Sequence, residues 1–313
     1  MSALLVVLFA ALTAYALLGG ADFGGGFWDL FARDRAERDV IDHAMGPVWE
    51  ANHVWLIFTT VLLWTGFPSV FAAIASTMYI PLTAAALGVI GRGAGFAFRK
   101  TAGSRLFGVV FTGSSIVTPF FLGAVLGGVA SGRVPAGIAR GDVLTAWWNP
   151  TSAATGILAV GVCAYLAAIF LQHEAPAFRT RALAAGLAVG GLAAVCLLVV
   201  LTDNPLLRAE FAHPVPIVLA AVSAASGVVS LLLVYWRSPV AARPVAGLAA
   251  AAILWAWGAA QYPYLLPGSV TVRDAAATPA VVNATLAAVG VGGAVLVPSL
   301  WLLFRLSGRP SRE

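Results

Sequence analysis

The sequence predicts an all-α integral membrane protein of about nine transmembrane helices. Three observations carry that expectation. Of 313 residues, 60% are hydrophobic and 10% are charged. Mean hydropathy is +0.92. Apolar runs of about 20 residues, the length that crosses a hydrocarbon core, recur along the chain with short polar joins. In lipid every backbone amide must be paired within its own segment, so these runs are helices.

In chain order the spans fall at roughly 3–27, 46–64, 68–90, 107–130, 152–172, 181–201, 215–236, 244–262 and 280–304. Residues 4–12 followed by Ala14-Tyr15-Ala16 imitate a secretory signal, but no basic region precedes them, so the first span is expected to be retained. With the N-terminus outside, 14 of the 18 basic residues fall on inner segments, and only Arg133, Arg140, Arg208 and Arg273 fall outside. That asymmetry follows the positive-inside rule and predicts an N-out, C-in chain. It also explains the net charge of +5 without nucleic acid, for which no basic, aromatic-interleaved patch exists. Trp147, Trp148, Tyr262 and Tyr264 lie in the longer external joins, where amphipathic rings suit headgroup depth. Cys163 and Cys196 stand alone in apolar runs and read as small hydrophobes. Gly91 and Gly95 form a small-xxx-small pair that predicts close helix packing.

Ionisable residues inside spans cost about 2.5–3.5 kcal/mol each on insertion scales, so each is a functional candidate. The clearest are Asp22, late in the first span, and Glu50 and His53, in the first turns of the second. Glu50 and His53 are three apart and share a helix face, with Trp49 and Asn52 alongside. Asp22 can face them from the neighbouring antiparallel helix. A carboxylate, an imidazole and an amide near the inner boundary are parts of a proton entry path, since each holds or passes a proton. The competing reading has Asp22 and Glu50 capping helix ends or pairing with Arg33 and Arg35. Spacing alone leaves both open.

Glu50-x-x-His53 also has the Glu-x-x-His spacing of bundle di-iron sites, and Glu210-x-x-His213 repeats it. The second pair is expected on the opposite face, about 30 Å away. The further helical glutamates that such a site needs are missing, so no metal is expected in this chain. His43 and His53 are ten residues apart, about 15 Å along a helix, so they cannot ligate one haem iron together. His173 and His213 read as interfacial polar residues. The Gly24-Gly25-Gly26 run has no following Lys-Ser/Thr and no preceding strand, so it is not a phosphate cradle. Close helix contact explains it better.

Ala21-Asp22-Phe23-Gly24-Gly25-Gly26 and Gly46-Pro47-Val48-Trp49-Glu50-Ala51-Asn52-His53-Val54-Trp55-Leu56 resemble the D-G-F-D-x-G-x-G and P-x-W-D-G-N-x-V-W-L signatures of the second subunit of cytochrome bd-type quinol oxidases. Gly95-Phe96-Ala97-Phe98-Arg99 is similar to that family's third-to-fourth join, and Tyr262-Pro263-Tyr264-Leu265-Leu266-Pro267 with Thr271 and Ala275-Ala276-Ala277 to its last external join. The matches follow the family's order over nearly the whole chain. The stretch with Trp49, Asn52 and Trp55 is the specific part, while Gly24 and Gly26 alone would be weak.

The resemblance implies two four-helix bundles plus one extra helix: 1–130 as the first bundle with the proton-entry residues, 131–151 an external join, 152–262 the second bundle, and 263–313 an external join, last helix and tail. It implies a haem-free subunit of a quinol:oxygen oxidoreductase in a bacterial cytoplasmic membrane. The partner would be a larger subunit carrying haems b and d, with room for a small accessory subunit and a structural quinone or lipid. The chain lacks the Gly-Arg-Gln-Pro-Trp signature of that larger subunit. Which quinol, ubiquinol or menaquinol, serves the complex is not encoded here. The family's inner carboxylates carry the proton-transfer role onto Asp22 and Glu50, with Asn52 and His53 beside them. Three positions depart from the pattern: Leu18 replaces an Asp, Glu50 replaces an Asp, and His53 replaces an acidic or amide residue. Two further readings compete, a proton-coupled secondary transporter and a purely structural assembly partner. Charges clustered near the inner edge, without paired interrupted helices, favour the oxidase reading over a midplane transport site.

Overall fold

The computed structural model describes the backbone of residues 2–45, 49–101 and 105–307, with side chains except those of residues 2, 45, 49–51, 99–101, 296, 297 and 300–307. Helix α1 (Ser2–Ala14) passes through a π-helical turn (Tyr15–Gly19) into α2 (Gly20–Leu30), giving one apolar span over Ala3–Leu30. Then come α3 (Arg35–Met45), α4 (Trp49–Gly66), α5 (Pro68–Thr77), α6 (Tyr79–Thr101) and α7 (Arg105–Ala130). The second half holds α8 (Pro150–Leu171), α9 (Phe178–Asp203), α10 (Pro205–Phe211), α11 (Pro214–Tyr235) and α12 (Pro239–Gln261). A small antiparallel hairpin, β1 (Tyr264–Leu266) and β2 (Val270–Thr271), leads through α13 (Val272–Ala275) to α14 (Pro279–Ser307).

Among the described residues, seven spans are long and apolar enough to cross a membrane, or eight if the bent α4–α5 pair counts as one. The chain is therefore a multi-pass membrane protein. Apolar side chains remain exposed around the helices, Leu87, Ile90, Leu187 and Leu198 among them. A water-soluble protein would not tolerate so many.

The run expected as one span over 68–90 is divided at Met78, which takes φ −103° and ψ 23° between α5 and α6. Ahead of it, Pro68 disfavours a helical conformation for the residue before it. Phe67 accordingly takes φ −138° and ψ 61°, and α5 turns 118° away from α4. The carbonyl of Gly66, released by the break, accepts the Ala277 amide at 2.9 Å. The span proper runs Tyr79–Phe98. Its end lies beyond residue 90, which moves Arg92 out of a join and into a membrane helix.

Helix α2 is wedged between α7 and α8, while α6 packs on α7, α8 on α9, and α11 on α12. Its glycines allow this approach. A Cβ on Gly24 would lie 1.9 Å from the Cys163 carbonyl oxygen. The run is thus the close helix contact expected of it. At the Leu30 end, Trp28, Ile41, Leu166, Ile169, Phe178 and Val234 form one apolar cluster. At the Ser2 end, Leu4, Leu62, Phe67, Met78, Leu266 and Val282 form another. There Arg133 grips Asp203 through two bonds of 2.5 and 2.7 Å, and the Thr151 hydroxyl donates to the same carboxylate at 2.6 Å, pinning the 131–149 join to α9.

Candidate functional site

Asp22 is 1% exposed, on the second residue pair of α2 beyond the π-helical turn. It lies eight residues above Leu30, about 12 Å along the helix axis. A carboxylate at that depth needs a partner. The partner is neither Arg33 nor Arg35 but Arg92 of α6, itself 1% exposed. The Arg92 Nη2 donates to Asp22 Oδ1 at 2.8 Å and to the Asp22 backbone carbonyl, also at 2.8 Å. The other guanidinium nitrogen, Nη1, donates to the Ser115 hydroxyl on α7. The Ser115 hydroxyl in turn donates to the Phe111 carbonyl at 2.7 Å. Two aromatic faces enclose the cation, Phe111 at 4.7 Å and Phe23 at 5.0 Å from ring centroid to guanidinium carbon.

One atom of this arrangement is left over. Asp22 Oδ2 is buried and has no hydrogen-bond partner among the described residues, and the same holds for the Tyr15 hydroxyl about two turns earlier. The ion pair therefore occupies one carboxylate oxygen and leaves the second able to receive a proton.

Gly26 makes room for this pair. A Cβ there would stand 2.0 Å from Ser115 Oγ and 2.9 Å from Arg92 Nη1. On the same face of α2, at i+7 from Asp22, Asp29 is 6% exposed. It accepts from the Thr112 hydroxyl at 3.1 Å and lies 3.9 Å from the exposed Arg38 guanidinium of α3. A second buried carboxylate thus sits about 10 Å nearer the Leu30 end, one heptad along the same helix.

Asn52 and His53 reach the site from α4. The Asn52 amide donates at 3.1 Å to the carbonyl of Leu18 in the π-helical turn, where the widened ladder frees main-chain acceptors. The His53 ring packs at 6.4 Å from Tyr15 and 6.0 Å from Phe23. Trp55 packs on the cluster of Tyr15, Phe23 and Cys163. Helix α4 starts at Trp49, but the side chains of Trp49 and Glu50 lie outside the described ones. Leu18, where the resembling family has an acid, is 45% exposed.

The sequence reading passed over Arg92, Ser115, Asp29 and Thr112. Arg92 stands in Gly91-Arg92-Gly93, which reads as a join, yet the Gly91 and Gly95 pair already pointed to tight packing there. Gly95 indeed abuts the Phe111 backbone, with a Cβ falling 2.7 Å from its nitrogen. For Asp29 the signal was the seven-residue interval from Asp22.

The remaining candidates are peripheral. His43 and His173 are exposed. Glu210 and His213 meet each other at 3.4 Å at the surface. No group of three His, Cys, Asp or Glu side chains able to hold a metal occurs among the described residues. An apolar cavity of about 330 Å³ between the two halves of the chain is lined by Tyr15, Phe23, Cys163 and Trp257 among others, and by no histidine.

Comparison with known proteins agrees with this architecture. The sequence model of the cytochrome bd terminal oxidase subunit II family matches residues 2–307. Cytochrome bd ubiquinol oxidase subunit 2 of Bacillus subtilis (strain 168) is 35% identical over a stretch covering 39% of this chain and 37% of that protein. Cytochrome bd-I ubiquinol oxidase subunit 2 of Escherichia coli (strain K12) is 24% identical over 96% of this chain and 93% of its own. Among solved structures, that of bd oxidase from Geobacillus thermodenitrificans shares the fold, with a TM-score of 0.84, 24% identity, and coverage of 98% of this chain and 99% of that one.

Proposed function

The chain belongs to the cytochrome bd terminal oxidase subunit II family, and from that premise we propose that it serves as the haem-free subunit of a bacterial quinol:oxygen oxidoreductase and brings protons to its partner from the inner side. Nine spans in two four-helix bundles plus one helix, N-terminus outside and C-terminus inside, suit this role. The haems and the redox chemistry belong to the partner subunit.

The observation that carries the proton reading is the Asp22–Arg92 pair, fully buried in two membrane helices with one carboxylate oxygen left without a donor. A pair serving only to hold helices together gains most when both oxygens are satisfied. A carboxylate that must take up and release a proton needs an oxygen that is free to do so. Arg92 keeps the site electrically neutral while Asp22 is ionised. When a proton arrives at Oδ2, Oδ1 can still accept from Arg92, so the site can cycle without breaking its geometry. Asp29, seven residues nearer the Leu30 end, is the entry acid on this reading, with Thr112 orienting its carboxylate. Asn52 holds the π-helical turn that separates α1 from the Asp22 segment, and His53 and Glu50 stand on the adjoining helix as further proton carriers.

The test is oxygen consumption with quinol by the purified complex carrying Asp22→Asn. Proton conduction predicts a fall of about a hundredfold or more, the scale of losing a general acid–base step, with haem content and subunit ratio unchanged. Loss of the partner or its haems would assign Asp22 to assembly alone, and full activity would remove it from the path. Substrate uptake into vesicles by the isolated chain would replace the oxidase reading with that of a transporter.

A further inference from the structure

A groove of about 400 Å³ runs between the first span, α8 and α12, away from the Asp22 site. Its walls are apolar, formed by Leu17 and Leu18 on one side, Leu166 and Phe170 on another and Gly247 and Leu248 on the third. Leu18 and Leu248 are 45% and 50% exposed, so the groove opens on the outer surface of the helices. At one end stands a single cation, Arg243, and no carboxylate lines the groove.

Arg243 is incompletely used by the protein. Its Nη2 donates to the Phe170 carbonyl at 3.0 Å and its guanidinium carbon sits 5.1 Å from the Phe170 ring centroid. Its Nε is buried without a hydrogen bond among the described residues. No described carboxylate pairs with it. It stands in the second turn of α12. From Arg243, the positions i+4 and i+8 are Gly247 and Ala251, both lining the groove. They extend about 12 Å along the helix without a projecting side chain.

A site with one positive end and a narrow apolar length matches an amphiphile with a negative head. We propose that this groove binds one anionic phospholipid, its phosphate on Arg243 and an acyl chain along Gly247 and Ala251. A zwitterionic lipid would bring a choline or ethanolamine cation to an end of the groove that holds only positive charge. A free acyl chain would use the walls and leave Arg243 unpaired.

The experiment uses the intact complex in bilayers of mixed phosphatidylglycerol and phosphatidylcholine, extracted in detergent, with the retained lipids counted by native mass spectrometry. Wild type and Arg243→Lys keep one phosphatidylglycerol per copy of this chain. Arg243→Gln, which removes the charge, and Gly247→Leu, which fills the groove and keeps the charge, both lose it. Haem content checks assembly, and if Gly247→Leu fails to assemble, the Gln and Lys variants at 243 decide alone. Equal phosphatidylglycerol retention by wild type and Arg243→Gln overturns the proposal. So does retention of phosphatidylcholine as readily as phosphatidylglycerol, which would make the groove a nonselective apolar surface.

Discussion

Arg92 bonds Asp22 twice through one nitrogen, at 2.8 Å to the side-chain Oδ1 and at 2.8 Å to the same residue's main-chain carbonyl. The cation is therefore attached to the backbone of α2 as well as to its charge. Removing the carboxylate would leave Arg92 held but unneutralised, whereas removing the guanidinium would strand a bare carboxylate in the bilayer.

That asymmetry gives the first prediction. Breaking a buried pair from one side costs about 3–5 kcal/mol, while replacing both partners by apolar residues of similar size is often near neutral. Arg92→Leu alone should destabilise the complex strongly. Asp22→Leu with Arg92→Leu should recover most of that loss in thermal unfolding, though not oxygen consumption. Recovery of both would show the pair to be purely structural.

Gly26 supplies the second. Alanine there must displace Ser115 Oγ, 2.0 Å away from the new Cβ, and Arg92 Nη1 at 2.9 Å. Overpacking of this kind costs about 1–3 kcal/mol. Gly113→Ala, where no heavy atom lies within 4 Å, should instead be neutral or stabilising by up to about 1 kcal/mol through helix propensity. Comparing the two melting temperatures separates a packing requirement from a general aversion to alanine in these helices.

Asp29 leads to a kinetic test. If it is the entry acid, Asp29→Asn slows quinol-driven oxygen consumption while Asp29→Glu retains most of it, and the pH profile of the Asn variant loses the limb set by proton entry. A variant with a wild-type rate and profile would mean that entry bypasses α2.

Glu37, in the first turn of α3, governs a pH effect on stability. Its carboxylate is held below the ordinary value of 4.5, first by the Arg33 backbone amide at 2.9 Å and then by the Arg181 guanidinium at 2.9 Å. Because the folded value is the lower one, this contribution is fully present above the ordinary carboxylate range and disappears as pH falls through the depressed value. Glu37→Gln should lower the melting temperature at neutral pH and reduce its acid sensitivity. An unchanged difference between wild type and variant from neutral to acid pH would contradict this.

Several features of the site were readable from one dimension because their causes are local. Gly24 and Gly26 mark close approach wherever the helix carrying them packs. Asp22 in an apolar run announces an unusual carboxylate. Its partner was not readable, because Arg92 is 70 positions away and bounded by glycines that, without neighbours, look like a turn. The break at Pro68 was present in the sequence, but a proline alone does not tell a kink within a span from a 118° change of direction. Packing of α5 against α13, and capture of the Gly66 carbonyl by Ala277, decide that.

By itself the sequence determined the solvent, the helical class and the family, since apolar length and backbone pairing in lipid are properties of each segment alone. Only the tertiary structure decided which charges meet. Ion pairing between helices depends on the rotation and depth at which α2, α6 and α7 pack, and those are set by side chains scattered along the whole chain. The same dependence decided that Arg243 closes an apolar groove formed by three helices instead of pointing freely to water.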